Sequence, residues 1–399
     1  MASLTLAGIA YLLAICEFSS TPRVSRRVVV IGLILAAVWH VEFLRLPPGA
    51  DDDIHRYVWD GRLQRLGYNP YLVVPSDPAV TGLHTQETRN LNNPDLPSPY
   101  PAGAQLFFRA VTAIHESVSA FKVAFVICDF GIALLLLDLL RTSGRGVHWV
   151  LAYAWHPLLA TEVAGSGHID IVGALLLMIS VAALARHWRA IAALAFGLAI
   201  AVKFLPVVLL PLYWKRVRIR DVALAAAVVA LLYVPFLNHG HISIGSLGTY
   251  VQTFRFNGPL FAVLDQVAPP QLLAGLAVLV GLMAATWQRT RRGASDSSPD
   301  VFAWPMAASL LCGPVVFPWY LLWLLPFVTS ASTLPITVWT VSVIPVYIMW
   351  HWRALGRPWG ALPGWVMLLE YGCVAIAAAT ISLRRISRPV TTALSKPVE

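Results

Sequence analysis

The chain has 399 residues, 58% of them apolar and 12% charged, where soluble domains carry roughly 45–50% and about 25%. That excludes an ordinary water-soluble fold and predicts an all-α, polytopic membrane protein. The net charge of +9 does not point to nucleic acid, because the basic residues form short clusters between apolar runs, as topology determinants do.

The first apolar run, Leu4–Phe18, lacks a basic flank and a small-residue cleavage site, so a cleaved signal peptide is not expected. Further spans are expected at Val28–Leu46, Phe121–Leu140, Val147–Thr161, Ile169–Ala185, Val222–Leu237, Gln271–Trp287, Val301–Val316, Trp319–Thr329, Pro335–Trp350 and Leu362–Leu383. Placing Arg23, Arg26 and Arg27 in the cytoplasm puts the amino terminus and the acidic loop of residues 47–101 outside. Alternation then brings Arg141 with Arg145, Arg186 with Arg189, Lys215–Arg220, Arg289–Arg292 and Arg384–Arg388 to the inner side. The agreement requires Ala190–Ala201 and Phe204–Trp214 to enter and leave on one side. Each is about 18 Å long as a helix against a hydrocarbon core of about 30 Å, so the pair is expected to be a short hairpin with Lys203 and Pro206 at its tip. Residues 1–388 then form one transmembrane domain with eleven full spans plus the hairpin, and 389–399 form a cytoplasmic tail. Cys16, Cys128, Cys312 and Cys373 lie far apart in apolar runs and suggest neither a metal site nor a disulfide framework.

The outer loop opens with Asp51-Asp52-Asp53-Ile54-His55-Arg56-Tyr57-Val58-Trp59-Asp60-Gly61. Three adjacent carboxylates repel one another, and a chain keeps them where a proton acceptor, a cation site or strong hydrogen-bond acceptors are needed. Helical spacing over Ile54–Leu66 lets one aspartate cap a helix, but not three. On the same side stand Glu162 and His168-x-Asp170, which read equally as a capped turn. Lys203, inside an apolar hairpin, costs about 2.5–3.5 kcal/mol unless it meets a counter-charge or water, and an anionic head group would supply one. Arg255, flanked by Phe254 and Phe256, suits a phosphate or a plain interfacial anchor. Phe317-Pro318-Trp319-Tyr320 reads by default as part of an aromatic belt.

Asp-Asp-x-x-Arg-Tyr-x-Trp-Asp-Gly followed by Gly-x-Asn-Pro-Tyr resembles the first outer loop of bacterial integral-membrane glycosyltransferases of the C type (GT-C), polyprenol-phosphate-mannose-dependent group. The resemblance continues through Tyr100-Pro101-x-x-x-Gln105-Leu106, Gly167-His168-x-Asp170, Ala201-x-Lys203-x-x-Pro206, Arg255-Phe256-Asn257 and Pro318-Trp319-Tyr320. It implies a polyprenyl-phosphate sugar donor, a lipid or glycan acceptor in the cell envelope, and an aspartate base in this loop. The active site would face the periplasm or exterior of the plasma membrane. His55 stands where the family pattern has Tyr, and a third aspartate precedes the usual pair. Asp52 and Asp53 are then the expected catalytic carboxylates. Lys203, Arg255, Arg56 and His168 are candidates to hold the phosphate, with His55, Asp170, Trp319 and Tyr320 completing the substrate-binding set. No cofactor is expected, although Asp51–Asp53 could instead hold Mg²⁺ or Mn²⁺.

Two other classes compete. A secondary transporter or flippase of a lipid-linked anion also has broken helices and intramembrane charges, but it calls for an internal repeat that is not visible here. A non-catalytic lipid-binding scaffold gives no reason for carboxylates and cations on one side.

Overall fold

The computed structural model describes residues 2–21, 24–49, 53–293 and 298–386. Apolar runs set the first two helices, α1 (Ala2–Ser20) and α2 (Arg26–Arg45). The acidic loop folds into α3 (Asp53–Arg65), a 3₁₀ turn at Pro78–Leu83 and α4 (Ala102–Ile114). After α5 (Val118–Thr142) the chain breaks into a 3₁₀ turn, the five-residue α6 (Val150–Ala154) and a π-helix at Leu159–Ser166. Then come α7 (Asp170–Ala185), α8 (Arg189–Val202), a 3₁₀ turn at Leu205–Leu209 and α9 (Leu210–Tyr213). α10 (Ile219–Leu232) leads to a small hairpin, β1 (Leu237–Asn238) with β2 (His241–Ile242), paired antiparallel with Asn238 opposite His241. The rest is α11 (Leu247–Thr253), α12 (Pro259–Leu264), α13 (Pro270–Arg292), α14 (Asp300–Leu311), α15 (Leu334–Ser342), α16 (Ile348–Ala354) and α17 (Gly364–Ile386).

The fold is all-α and multi-pass, but eleven full spans are not confirmed. Among the described residues seven helical segments are long and apolar enough to cross a membrane: Ser3–Ser20, Arg26–Arg45, Val118–Thr142, Ile219–Phe236, Pro270–Arg292, Leu334–Ala354 and Gly364–Leu383. Hydropathy registers greasiness, not continuity. Pro157 interrupts the expected Val147–Thr161 span, and Pro318 and Pro326 reduce Trp319–Thr329 to 3₁₀ turns. The expected Val301–Val316 span is helical only to Leu311. Such broken backbone is tolerated at membrane depth where protein buries it, and Leu321, Leu322, Trp323, Leu324, Leu325 and Phe327 are fully buried.

The short pair around Lys203 does turn back. α8 ends at Lys203, whose backbone is extended (φ −159°, ψ 142°), and the rings of Phe196 and Tyr213 stack at 4.0 Å across the two arms. α7 runs antiparallel to α8, tied by Ser180 Oγ donating to Ala192 O at 2.6 Å. Asp170 and Lys203 therefore meet at one end of the bundle. At the other end the basic clusters gather: Arg186 pairs with Asp138, while Arg145 and Arg292 reach Asp300 at 3.5 and 3.1 Å. Midway, the buried Asp129 on α5 faces His40 Nε2 at 2.8 Å and accepts the Tyr153 hydroxyl, joining α2, α5 and α6. Lys122, at the loop end of α5, donates to the carbonyls of Phe43, Leu44 and Leu46 at 3.1, 3.3 and 2.7 Å.

The loop has its own polar core. Asp60 accepts from Arg56 Nε at 3.2 Å, Ser98 Oγ at 2.5 Å and Gln105 Nε2 at 2.9 Å. Burial pushes its carboxyl above the usual range, with Arg56 and the hydrogen bonds opposing. Asn69 Nδ2 donates to Phe236 O at 2.9 Å and Tyr71 Oη to Tyr100 O at 2.7 Å, so Asn-Pro-Tyr clamps the loop onto the bundle.

The separation of the acidic loop from the basic end predicts labelling from opposite faces. With the four native cysteines removed, Ala79→Cys and Lys396→Cys should react with a membrane-impermeant maleimide from different sides of intact cells and inverted vesicles. Labelling of both from the same side would refute this topology.

Candidate functional site

The site is built where the hairpin tip meets the loop. Asp170 opens α7 and is buried; Lys203 Nζ reaches its Oδ1 at 2.7 Å, and Trp323 Nε1 donates to the same oxygen at 2.7 Å. The second oxygen, Oδ2, is buried with no hydrogen-bond partner among the described residues. Gly173 permits this arrangement: a Cβ there would stand 2.1 Å from the Trp323 ring. Lys203 keeps 23% of its side chain exposed and lies 3.8 Å from the centre of the Tyr320 ring. Tyr320 Oη is 2.5 Å from Tyr250 Oη.

Asp53 approaches this cluster from α3. It is half-buried and accepts a hydrogen bond from Asn92 Nδ2, and its charge acts on both Tyr320 and Tyr100. Burial, then the Asp53 charge and Tyr57, hold the Tyr100 phenol well above its ordinary range, so it stays a neutral hydrogen-bonding group.

Beside the cluster, Gly167 at φ +82° turns the chain after the π-helix, a conformation that favours glycine. The turn sends His168 back to Glu162, with Nδ1 2.9 Å from Oε2, and the Tyr347 hydroxyl donates to Oε1. His168 stacks on Trp319 at 4.2 Å, and Phe317 covers the other face at 4.4 Å. Trp319, Glu162 and Tyr347 line a pocket of about 250 Å³ beneath Pro47 and Gly49.

Asp53, His168, Asp170, Lys203, Trp319 and Tyr320 thus gather at one end of the bundle. Asp51 and Asp52 lie outside the described residues. His55 is half-buried on α3, its Nδ1 without a hydrogen-bond partner among the described residues. Two expected phosphate ligands are committed elsewhere. Arg56 is buried against Asp60 and donates to Leu96 O at 2.6 Å and Asn93 O at 3.4 Å. Arg255 forks onto Asp265 at 2.7 and 3.2 Å, caps three backbone carbonyls and lies over Phe261. The counter-charge of Lys203, expected from a ligand, is supplied first by Asp170. Sequence reading missed Trp323, Tyr250 and Tyr347: an aromatic residue with one polar atom looks like any other in an apolar run. Among the described residues no group of three His, Cys, Asp or Glu is placed to hold a metal ion.

A family model described as "Alpha-(1->6)-mannopyranosyltransferase, N-terminal domain", of the MptA/B family, matches residues 1–218. The match takes in Asp53, His168, Asp170 and Lys203, and it makes the chain a multi-pass membrane glycosyltransferase. More closely, with over half of its residues matched, it belongs to the MptA/B mannosyltransferase family. That membership decides against a transporter or a scaffold. No match was found among curated proteins. The crystal structure of ArnT from Cupriavidus metallidurans bound to undecaprenyl phosphate is similar over 91% of this chain and 73% of that one, with 15% identity and a TM-score of 0.49.

The Asp170–Lys203 pair should show as thermodynamic coupling. Lys203→Met leaves Asp170 buried without its cation, a change that costs up to about 3–5 kcal/mol for a fully buried pair and less here because Lys203 is partly exposed. Adding Asp170→Asn should restore most of the lost thermal stability. Strictly additive melting shifts in the purified variants would rule out the coupling.

Proposed function

We propose that this family member transfers a mannosyl unit from a polyprenyl-phosphate donor to a hydroxyl of an envelope glycolipid or glycan, on the outer face of the plasma membrane. The observation that carries this reading is the Asp170–Lys203 pair, 2.7 Å apart and partly exposed, at the end of the bundle where Gly167 packs on Ile54 and Gly103 on Ala201, which brings it against the acidic loop. A lipid-linked donor keeps its tail in the bilayer and its phosphate near the surface. Lys203, exposed by about a quarter and held by Asp170, is the cation suited to that depth.

The acceptor oxygen attacks the anomeric carbon, its proton passes to an aspartate, and the carbon–oxygen bond to the phosphate breaks with its electron pair leaving on the phosphate. Attack from the face opposite the phosphate inverts the centre, so a β-linked donor yields the α linkage in the family's description. The growing phosphate charge falls beside Lys203, and fixed cations help most when charge develops in the transition state. We assign the base to Asp52, with Asp53 as second choice. Asp53 already receives Asn92 and begins α3, which supports a positioning role for it, and Asp52 is its chain neighbour. Arg56 and Arg255 then act on structure, Arg56 within the loop core and Arg255 between the outer loop and α12.

Asp→Asn changes keep size but remove the base, a loss of roughly 10²–10⁴ in rate. In purified protein given labelled polyprenyl-phosphate mannose and envelope lipids, Asp52→Asn should nearly abolish transfer with donor binding retained. The Lys203→Met/Asp170→Asn double variant should instead lose donor affinity. Full activity in both Asp52→Asn and Asp53→Asn would end the assignment of catalysis to this cluster.

A further inference from the structure

The pocket lined by Pro47 and Gly49 shares Trp319 with the site just described, and Lys203 is not among its lining residues. Its lining divides in two. Leu4, Phe43 and Leu46 form an apolar wall at the ends of α1 and α2, and Glu162, Thr161, Ser166 and Tyr347 supply a carboxylate and hydroxyls. Among the described residues no Lys or Arg lines it and the buried Glu162 does, so an anionic ligand would meet a carboxylate rather than a cation there. An ammonium would have to give up its hydration for one carboxylate whose two oxygens already take His168 and the Tyr347 hydroxyl, and Trp319, covered on both faces by His168 and Phe317, adds no cation–π contact. Neutral hydroxyls remain. Each Glu162 oxygen has one donor, from His168 or Tyr347, and a carboxylate oxygen accepts a second. At about 250 Å³ the pocket is smaller than the ~300–1,000 Å³ of sites for drug-sized ligands, which suits one sugar ring.

We infer that this pocket binds a neutral hexopyranoside on an apolar anchor, namely the sugar of the acceptor, with Glu162 as its main hydrogen-bond acceptor. The inference deepens the proposed transfer and rests on it: the donor phosphate is held at Lys203, and the acceptor enters from the α1–α2 side toward the start of the acidic loop.

Saturation-transfer NMR of the full chain in phosphatidylglycerol nanodiscs, with methyl α-mannoside as probe, tests the pocket without any donor. Binding is expected in the wild type, at least tenfold weaker in Glu162→Gln and absent in Ser166→Phe, which fills the space. It should persist in the Lys203→Met/Asp170→Asn double variant and resist both inorganic phosphate and choline. Should Ser166→Phe melt early, Glu162→Gln alone decides. Wild-type-like binding in Glu162→Gln overturns the site; displacement by choline makes it an ammonium pocket, and displacement by phosphate an anion pocket, each of which also overturns it. The two readings separate in the transfer assay. Absent transfer with intact mannoside binding removes the reaction alone. Intact transfer with an unchanged acceptor KM in Glu162→Gln removes the pocket alone.

Discussion

A lysine at the tip of a helical hairpin, inside an apolar bundle, is held by one carboxylate, and the loop end of this protein is organised around that pair. Asp170 receives Lys203 and the Trp323 indole on one oxygen, and Gly173 makes room for the indole. Trp323 is fully buried in a stretch of 3₁₀ turns that also carries Trp319 and Tyr320. The ion pair therefore connects α7, the α8 hairpin and the broken segment after α14. Without a counter-charge Lys203 would have to leave the apolar interior, and the ring it faces, Tyr320, would lose its register.

The same economy of buried polar groups recurs through the molecule. Asp60 joins α3, α4 and the residues near Ser98; Asp129 joins α2, α5 and α6; Glu370 on α17 accepts from Trp339 Nε1 at 2.7 Å and Asn257 Nδ2 at 2.9 Å. Each is a carboxylate with at least one donor from a distant part of the chain. In lipid, apolar surface gives helices little reason to choose one neighbour over another, so hydrogen bonds of this kind fix which elements meet. At the loop end the same kind of hub, Asp170, holds a lysine that keeps 23% of its side chain exposed.

Much of this was legible in the residues. The short hairpin followed from two apolar runs too short to span, with Lys203 between them. The gathering of basic clusters at one end followed from alternation of charge. Asp129 lies deep in an apolar helix, where a charge is costly without a partner, and His40 and Tyr153 are its partners. The number of spans was not legible, because prolines and short helices leave hydropathy high while breaking the backbone. Nor were the tasks of Arg56 and Arg255, since an arginine in a loop looks the same whether its partner is a ligand or a nearby aspartate.

Composition, the spacing of apolar runs and the order of motifs by themselves determined the membrane class, the all-α architecture, the acidic loop and the glycosyltransferase resemblance, because these depend on local chemistry that every residue carries with it. Tertiary structure alone decided which groups are left to act. It paired Lys203 with Asp170, turned Arg56 and Arg255 to internal carboxylates, and set Glu162 between His168 and Tyr347. These pairings span from 4 to 185 positions along the chain. The longest of them follow no periodicity, and packing selects which acid meets which base.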